Sequence, residues 1–259
     1  MKIVVPIKQI LDPRGITVRR DRERIFVNRE EFIIGPRSKA AIEAALRLKD
    51  AGEATVVALS MGKPQADDAL REALAMGCDE AYLLSDKAFG DADISVTARV
   101  LAAAVEKLGG ADLIVAGREA GDTGAGQIGP RLAEALGYAQ VTDIYALAVA
   151  NGSLQATRRW GEGYAAVEVS LPAVATVAPQ AFRPRYAHGA RIMNAYREWE
   201  VVVWDAEDLE LAEAALAPLL AFRSESFPPP LEVGETYRGE PASVAQDVVM
   251  ILKQQRLIG

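Results

Sequence analysis

The chain has 259 residues and a formal net charge of −7, with 50% of its residues hydrophobic and 25% charged, a balance that fits one large globular domain or a domain with an appendage. The acidic excess argues against nucleic acid as a partner. A single cysteine, Cys78, excludes internal disulfides and fits a reducing cytoplasm, and a single histidine, His188, removes most histidine-based metal and triad chemistry.

Residues 2–7 (KIVVPI) read as a first buried strand. The run is interrupted by Pro6 and Lys8 and lacks a small-residue cleavage site, so no signal peptide is expected. No stretch reaches the roughly 18 apolar residues of a membrane-spanning helix. Residues 14–31 are charged, with apolar Ile16, Val18, Ile25 and Val27 between, and predict an exposed hairpin or excursion. Ser38 then precedes Ala40, Ala41, Ile42, Ala44, Ala45, Leu46 and Leu48, a helical pattern ending at Gly52. Strands follow at 54–60 and 81–84, with helices at 65–76 and 91–108. This alternation predicts an α/β fold: a doubly wound, Rossmann-like parallel sheet with helices on both faces. Ligands of such sheets lie beyond the carboxyl ends of the strands, where the loops 6–12, 60–65 and 117–127 should meet.

The most informative stretch is 111–138, ADLIVAGREAGDTGAGQIGPRLAEALGY. A short apolar strand enters a loop with glycines at 117, 121, 124 and 126, and Ile128, Leu132, Ala135 and Leu136 then recur at helical spacing up to Gly137. Glycines allow backbone N–H groups to approach a phosphate closely, and the helix start adds partial positive charge. Gly124, Gly126 and Gly129 spell G-x-G-x-x-G, but this is not a dinucleotide dehydrogenase fingerprint. The motif begins well after its strand, which is the fourth and not the first, and Asp143 lies inside a new strand and not at the end of one. A generic nucleotide-phosphate loop is the better reading.

After Gly137 the pattern changes. Residues 141–149 and 154–160 flank Asn151-Gly152, a hairpin with a type I′ turn, and 165–171 and 173–177 add strands. Trp160, within a strand, is expected in the core, and Trp199 and Trp204 at an interface. From Gln180 onward regular alternation is lost: an acidic stretch at 205–213, Phe227 followed by prolines 228–230, and a final amphipathic helix at 243–255. The expected division is therefore 1–179, a nucleotide-binding α/β domain with a β-hairpin region, and 180–259, a recognition segment and extended C-terminal arm that packs on a partner subunit.

Together, KIVVPIKQILDP, AIEAALRLKDAG, ALREALAMGCDEA, GREAGD…QIGPRLAEALG and LPAVATV…PRYA…IM resemble the β subunit of electron transfer flavoproteins over essentially the whole chain. The resemblance implies a heterodimer with an α subunit that carries most contacts to a redox FAD shared between the two. The pair would pass electrons from flavin dehydrogenases such as acyl-CoA dehydrogenase to a membrane quinone oxidoreductase. The β subunit would bury AMP, or a second FAD accepting hydride from NADH in electron-bifurcating members. Its nucleotide site would comprise Pro6, Gly35, Pro36, Ser38, Met61, Gly62, Asp122, Thr123, Gly124, Ala125, Gly126, Gln127, Ile128 and Gly129. Aromatic rings that approach the flavin in mammalian-type members are replaced here by Pro13 and Arg37. The dehydrogenase recognition loop would match residues 184–201, with Tyr186, His188, Gly189, Ile192 and Met193 in contact with the partner. Gly189 stands where relatives carry a leucine anchor.

Simpler roles compete at several positions. Cys78 fits a small buried filler, Asp122 an Asx turn ordering its own loop or a Mg²⁺ ligand, and His188 a surface contact. Arg118 and Arg131 fit either phosphate pairing or solvated charge. No general base, nucleophile or metal cluster accompanies the loop, so an electron-carrier subunit is expected and not an enzyme. A nucleotide-dependent α/β enzyme and a universal-stress-like nucleotide sensor are the alternatives of other classes.

Overall fold

The structure, a computed structural model, describes residues 1–221, 223–229 and 234–259; Pro230, the last of the proline run, lies outside the described residues. In chain order it runs β1 (Lys2–Pro6), β2 (Gln9–Leu11), β3 (Ile16–Arg19), β4 (Arg24–Val27), β5 (Phe32–Ile34), α1 (Pro36–Ala51), β6 (Thr55–Met61), α2 (Asp67–Met76) and β7 (Glu80–Leu84). There follow α3 (Ile94–Lys107), β8 (Leu113–Gly117), α4 (Ile128–Leu136), β9 (Ala139–Ala150), β10 (Ser153–Trp160), β11 (Gly163–Ser170), β12 (Ala173–Val177), α5 (Gly189–Arg197), β13 (Val202–Trp204) and α6 (Pro241–Gln254). Two compact units result, Met1–Arg223 and Ser224–Gly259.

The first unit is built on a 9-stranded sheet in the order β11-β10-β9-β12-β8-β1-β6-β7-β13. From β9 through β13 neighbouring strands are parallel, while β10 and β11 extend the sheet as an antiparallel meander. Each central strand sends alternate side chains to opposite faces. Ile3, Val5, Val56, Ala58, Leu113 and Val115 meet α1 and α2, whereas Val4, Val57, Leu59 and Ile114 meet α3 and α4. Both layers are buried, so the sheet is doubly wound with helices on both faces, as the alternation of strands and helices predicted. Each fully buried Leu, Ile or Val contributes about 1.5–3 kcal/mol over an exposed one.

The chain goes from β1 through β6 to β7 in one direction, then returns over α3 to β8 on the other side of β1. β1 and β8 are thus neighbours whose following helices, α1 and α4, lie on opposite faces of the sheet. Their carboxyl ends mark the topological switch point at which open α/β sheets bind ligands.

The 14–31 excursion forms the β3–β4 hairpin, with Val18 and Ile25 paired and exposed. Asn151 and Gly152, both at positive φ, turn β9 into β10. β9 carries an extra residue at two places. One lies between its Val141 and Ile144 pairings with β12, the other between its Ile144 and Ala146 pairings with β10. Asp143 adopts φ 56° in the first of these bulges.

Trp160 is not in the core: it is 67% exposed. It lies at the far end of β10 opposite Gly163, which offers no side chain to cover it, and its ring contacts the Arg158 guanidinium at 5.1 Å. Residues after 180, where the sequence shows no clear period, contain α5 and β13. α5 is amphipathic in sequence but short, and it buries only Ala195. Phe182, Val201 and Leu209 join the cores of the first unit. In the second unit α6 buries none of its residues, and Val248, Val249 and Met250 are exposed along it. No helix among the described residues is long and apolar enough to cross a membrane.

Glu43, buried in the middle of α1, fastens the segment that leads to α5. It accepts from Arg185 Nε at 2.8 Å, from the Arg185 backbone N–H at 3.1 Å and from Arg47 Nε at 3.0 Å. Burial pushes its carboxyl up, but the bonds from Arg185 and Arg47 outweigh burial and hold it below the ordinary glutamate range. A depressed carboxylate stabilises the fold above its unfolded pKa of about 4.3, and that stability is lost as pH falls through the lower folded value. Glu43→Gln is expected to cost about 1–3 kcal/mol at neutral pH. The deficit should shrink as pH falls from about 5 toward the folded pKa, measured by denaturant unfolding of both proteins across that range. A deficit independent of pH would assign the loss to packing.

Candidate functional site

The mouth of the β1–β8 switch point is formed by residues 7–12, the start of α1, residues 61–65 and the loop 118–127. Main-chain and side-chain bonds tie these together. The Lys8 N–H donates to Ser38 Oγ at 3.1 Å and the Gly35 N–H to the Lys8 carbonyl at 2.9 Å. Gln9 Nε2 donates to the Gln65 carbonyl at 2.9 Å, and Gly62 N–H to that of Leu84 at 3.0 Å. Pro6 and Met61 close β1 and β6, half-buried at the mouth. With the Lys8–Asp122 pair, the three loops expected to meet do so.

Two helices begin here, α1 after Gly35 and α4 after Gln127, and neither has a side-chain cap. Their first-turn amides are thus free of the usual carboxylate or hydroxyl acceptor. Residues 121–127 are exposed, Ile128 is half-buried and Gly129 buried. Gly124 at φ +61° and Gly126 at φ +65° hold the loop in the left-handed region. At Gly117 a Cβ would come within 2.8 Å of the Arg37 carbonyl, so glycine there is what lets the first turn of α1 lie across the end of β8.

The loop carries its own countercharges. Asp122 pairs with Lys8 at 2.6 Å and Glu119 with Arg37 at 2.8 Å. Arg118 reaches Asp143 at 3.5 Å, and the Asp143 N–H in turn donates to Thr176 Oγ1 at 3.0 Å. Asp122 also accepts from its neighbour, the Thr123 N–H, at 2.9 Å, the expected local turn. Arg131 bonds Gln127 Oε1 at 3.0 Å and Ser95 Oγ at 3.1 Å. Partly exposed pairs of this kind are worth about 0–1 kcal/mol each. The sequence reading did not include Lys8 or Gln9 among the site residues; their signal was position, directly after a buried strand that borders the switch point.

Residues 186–193 lie elsewhere, on and before α5 against α2. His188 is exposed and its Nδ1 accepts from the Ala190 N–H at 3.3 Å, capping α5. Tyr186 and Met193 are exposed, at 89% and 52%, with Ile192 at 37%. Cys78 is buried, and burial pushes its thiol up to about 12, which leaves it unreactive. No group of three or more His, Cys, Asp or Glu among the described residues has a metal-binding arrangement.

Residues 24–209 match the electron transfer flavoprotein domain, a stretch running from β4 to just past β13. A chain named electron transfer flavoprotein subunit beta from Clostridium acetobutylicum is 41% identical over 216 residues, 83% of both chains. The chain belongs to the electron transfer flavoprotein β-subunit family. The caffeyl-CoA reductase-Etf complex subunit CarD of Acetobacterium woodii is 37% identical with 100% of both chains covered. Over the same full coverage, the acryloyl-CoA reductase electron transfer subunit gamma of Anaerotignum propionicum is 35% identical. Electron transfer in association with a flavin, and pairing with an α subunit, are properties of this family.

The buried edge of the site makes a test. A Cβ on Gly129 would land on Thr176 Cγ2, and Thr176 is held in place by its bond from Asp143. Gly129→Ala is expected to cost about 1–3 kcal/mol through overpacking, read as a lower melting temperature. Adding Thr176→Ser, which removes the methyl and keeps the hydroxyl, should restore most of it. Failure of that rescue would place the strain elsewhere.

Proposed function

We propose that this chain is the β subunit of a heterodimeric electron transfer flavoprotein that binds an adenine nucleotide at the β1–β8 switch point and helps enclose the FAD of its α subunit. The observation that carries the nucleotide reading is the convergence of two uncapped helix starts and a left-handed glycine loop on the switch point. The amides of Gly126 to Gly129 and the first turn of α1 would hold the phosphates, with Lys8 as countercharge. Pro6, Met61 and Gly62 would line the mouth beside them. The flavin, when present, supplies the redox chemistry; this chain binds, orients and shields. Electrons would come from a flavin dehydrogenase such as acyl-CoA dehydrogenase, docking on α5, and leave to a membrane quinone oxidoreductase, in the cytoplasm.

A second reading is favoured by one observation: relatives covering the whole chain carry the names of caffeyl-CoA and acryloyl-CoA reductase complexes. On that reading the site holds a second FAD in place of AMP, accepting hydride from NADH. Pro13 is exposed and Arg37 is paired with Glu119, so this chain brings a proline and a neutralised guanidinium to the positions where other members bring rings. Extracting the bound nucleotide from the purified complex decides between AMP and FAD.

Gly126→Val tests the loop. Its φ of +65° disfavours any β-branched residue, and the strain falls where amides should face phosphate. Nucleotide occupancy should drop sharply. AMP, or FAD on the second reading, should raise the melting temperature of stripped wild type, the ligand adding about 2.7 kcal/mol at a hundredfold excess over Kd, and leave the variant unmoved. An equal response in both proteins rules out the loop as the phosphate site.

The arm is tested by truncation. Because α6 buries nothing, its apolar positions suit a partner surface, and removing residues 243–259 should abolish co-purification with the α subunit. A stable heterodimer made with the shortened chain would contradict this role.

A further inference from the structure

α5 is held in an unusual way for a surface helix. It fully buries one residue, Ala195, with Ile192 partly covered. Its neighbour α2 sends Arg71 to the carbonyls of Ala195 and Trp199, the latter at 3.1 Å, where α5 ends and its last carbonyls lack helical partners. α5 returns the contact. Arg191 donates through Nε to the Ala75 carbonyl at 2.9 Å and through Nη2 to the Leu74 carbonyl at 3.0 Å, in the last turn of α2. Each helix thus caps the carboxyl end of the other with an arginine, the charge that the negative end of a helix favours. The exchange requires the two helices to run antiparallel.

Each guanidinium is braced in turn. Asp67 accepts from Arg71 Nε at 2.6 Å, and the Tyr196 ring lies 5.3 Å from the guanidinium carbon. The Tyr196 hydroxyl donates to Asp68 at 2.9 Å. Arg191 lies 4.9 Å from the centroid of the Trp199 ring. The pose that results leaves Met193 and Tyr196 more than half exposed and Ile192 exposed at 37%.

We propose that Arg71 and Arg191 are positioning residues for electron-transfer docking: their reciprocal caps fix the rotation of α5 and thereby the apolar side chains that a flavin dehydrogenase meets. The inference rests on the reading of α5 as the docking segment. Arg71 touches neither flavin nor dehydrogenase; it acts through the helix it caps. A lysine keeps the charge but not the planar fork by which Arg71 holds Asp67 through Nε while Nη1 serves both carbonyls, so the role is specific to arginine.

The test uses the αβ complex with a purified acyl-CoA dehydrogenase as electron donor, its concentration varied at saturating acyl-CoA. Arg71→Ala should raise the KM for the dehydrogenase at least about tenfold while kcat stays within about twofold. Arg71→Lys should recover part of that rise, and amide hydrogen exchange across residues 190–197 should accelerate in Arg71→Ala. Met193→Glu, on the outward face, should raise KM without altering exchange. If Met193→Glu raises KM and Arg71→Ala does not, the positioning role is overturned and the docking reading stands. If neither changes KM, the docking reading fails and the positioning role with it. Should Arg71→Ala not assemble, Arg71→Lys and Arg191→Lys carry the test, and an unchanged KM in both overturns the proposal.

Discussion

The structure depends on where the chain reverses direction across its sheet. Because β1 has β6 on one side and β8 on the other, the crossovers that follow it go to opposite faces, and the loops after β1 and β8 meet at the carboxyl ends. Everything at the candidate site follows from how those loops are arranged. Gly117 lets α1 begin across the end of β8, and two helix starts without side-chain caps border the same loops. The loop after β8 is glycine-rich and exposed. The site is a property of topology first and of side chains second.

The charges at the rim refine this. A bare cluster of amides and cations would attract any anion, but here Asp122 and Glu119 already occupy Lys8 and Arg37. Any anion arriving there would have to displace these carboxylates. The same partners keep an exposed loop in one arrangement without burying any apolar side chain in it.

Much of this was legible in the sequence because several local signals agreed. The strand and glycine loop at 111–138, the Asn151-Gly152 turn and the alternating strands and helices each carried one period or one turn chemistry, and the sheet kept them. Legibility ended where structure is held by something other than periodic burial. α5 is short and buries only Ala195, and its pose draws on two arginines distant in sequence. Trp160 was expected inside because strands bury aromatic residues, but the burial of one strand position depends on what lies opposite, and Gly163 lies opposite. Lys8 reads as an interruption of an apolar run until the fold brings Asp122 to within 2.6 Å of it.

The two bulges of β9 have a consequence of parity. Each inserts one residue, and one insertion turns every later side chain to the opposite face of the sheet. Val141 and Ile144 both point into the same core although their spacing is odd, and Leu147 regains the original phase only because a second residue is inserted before it. The strand is therefore correct at both ends and out of step only in between, at Asp143. A single deletion within this stretch would not merely shorten a bend: it would turn Leu147 and Val149 outward and the alanines at 146, 148 and 150 inward. Length changes here can be neutral only in pairs, so the two hydrogen-bond ladders on either side of β9, to β12 and to β10, must vary as one.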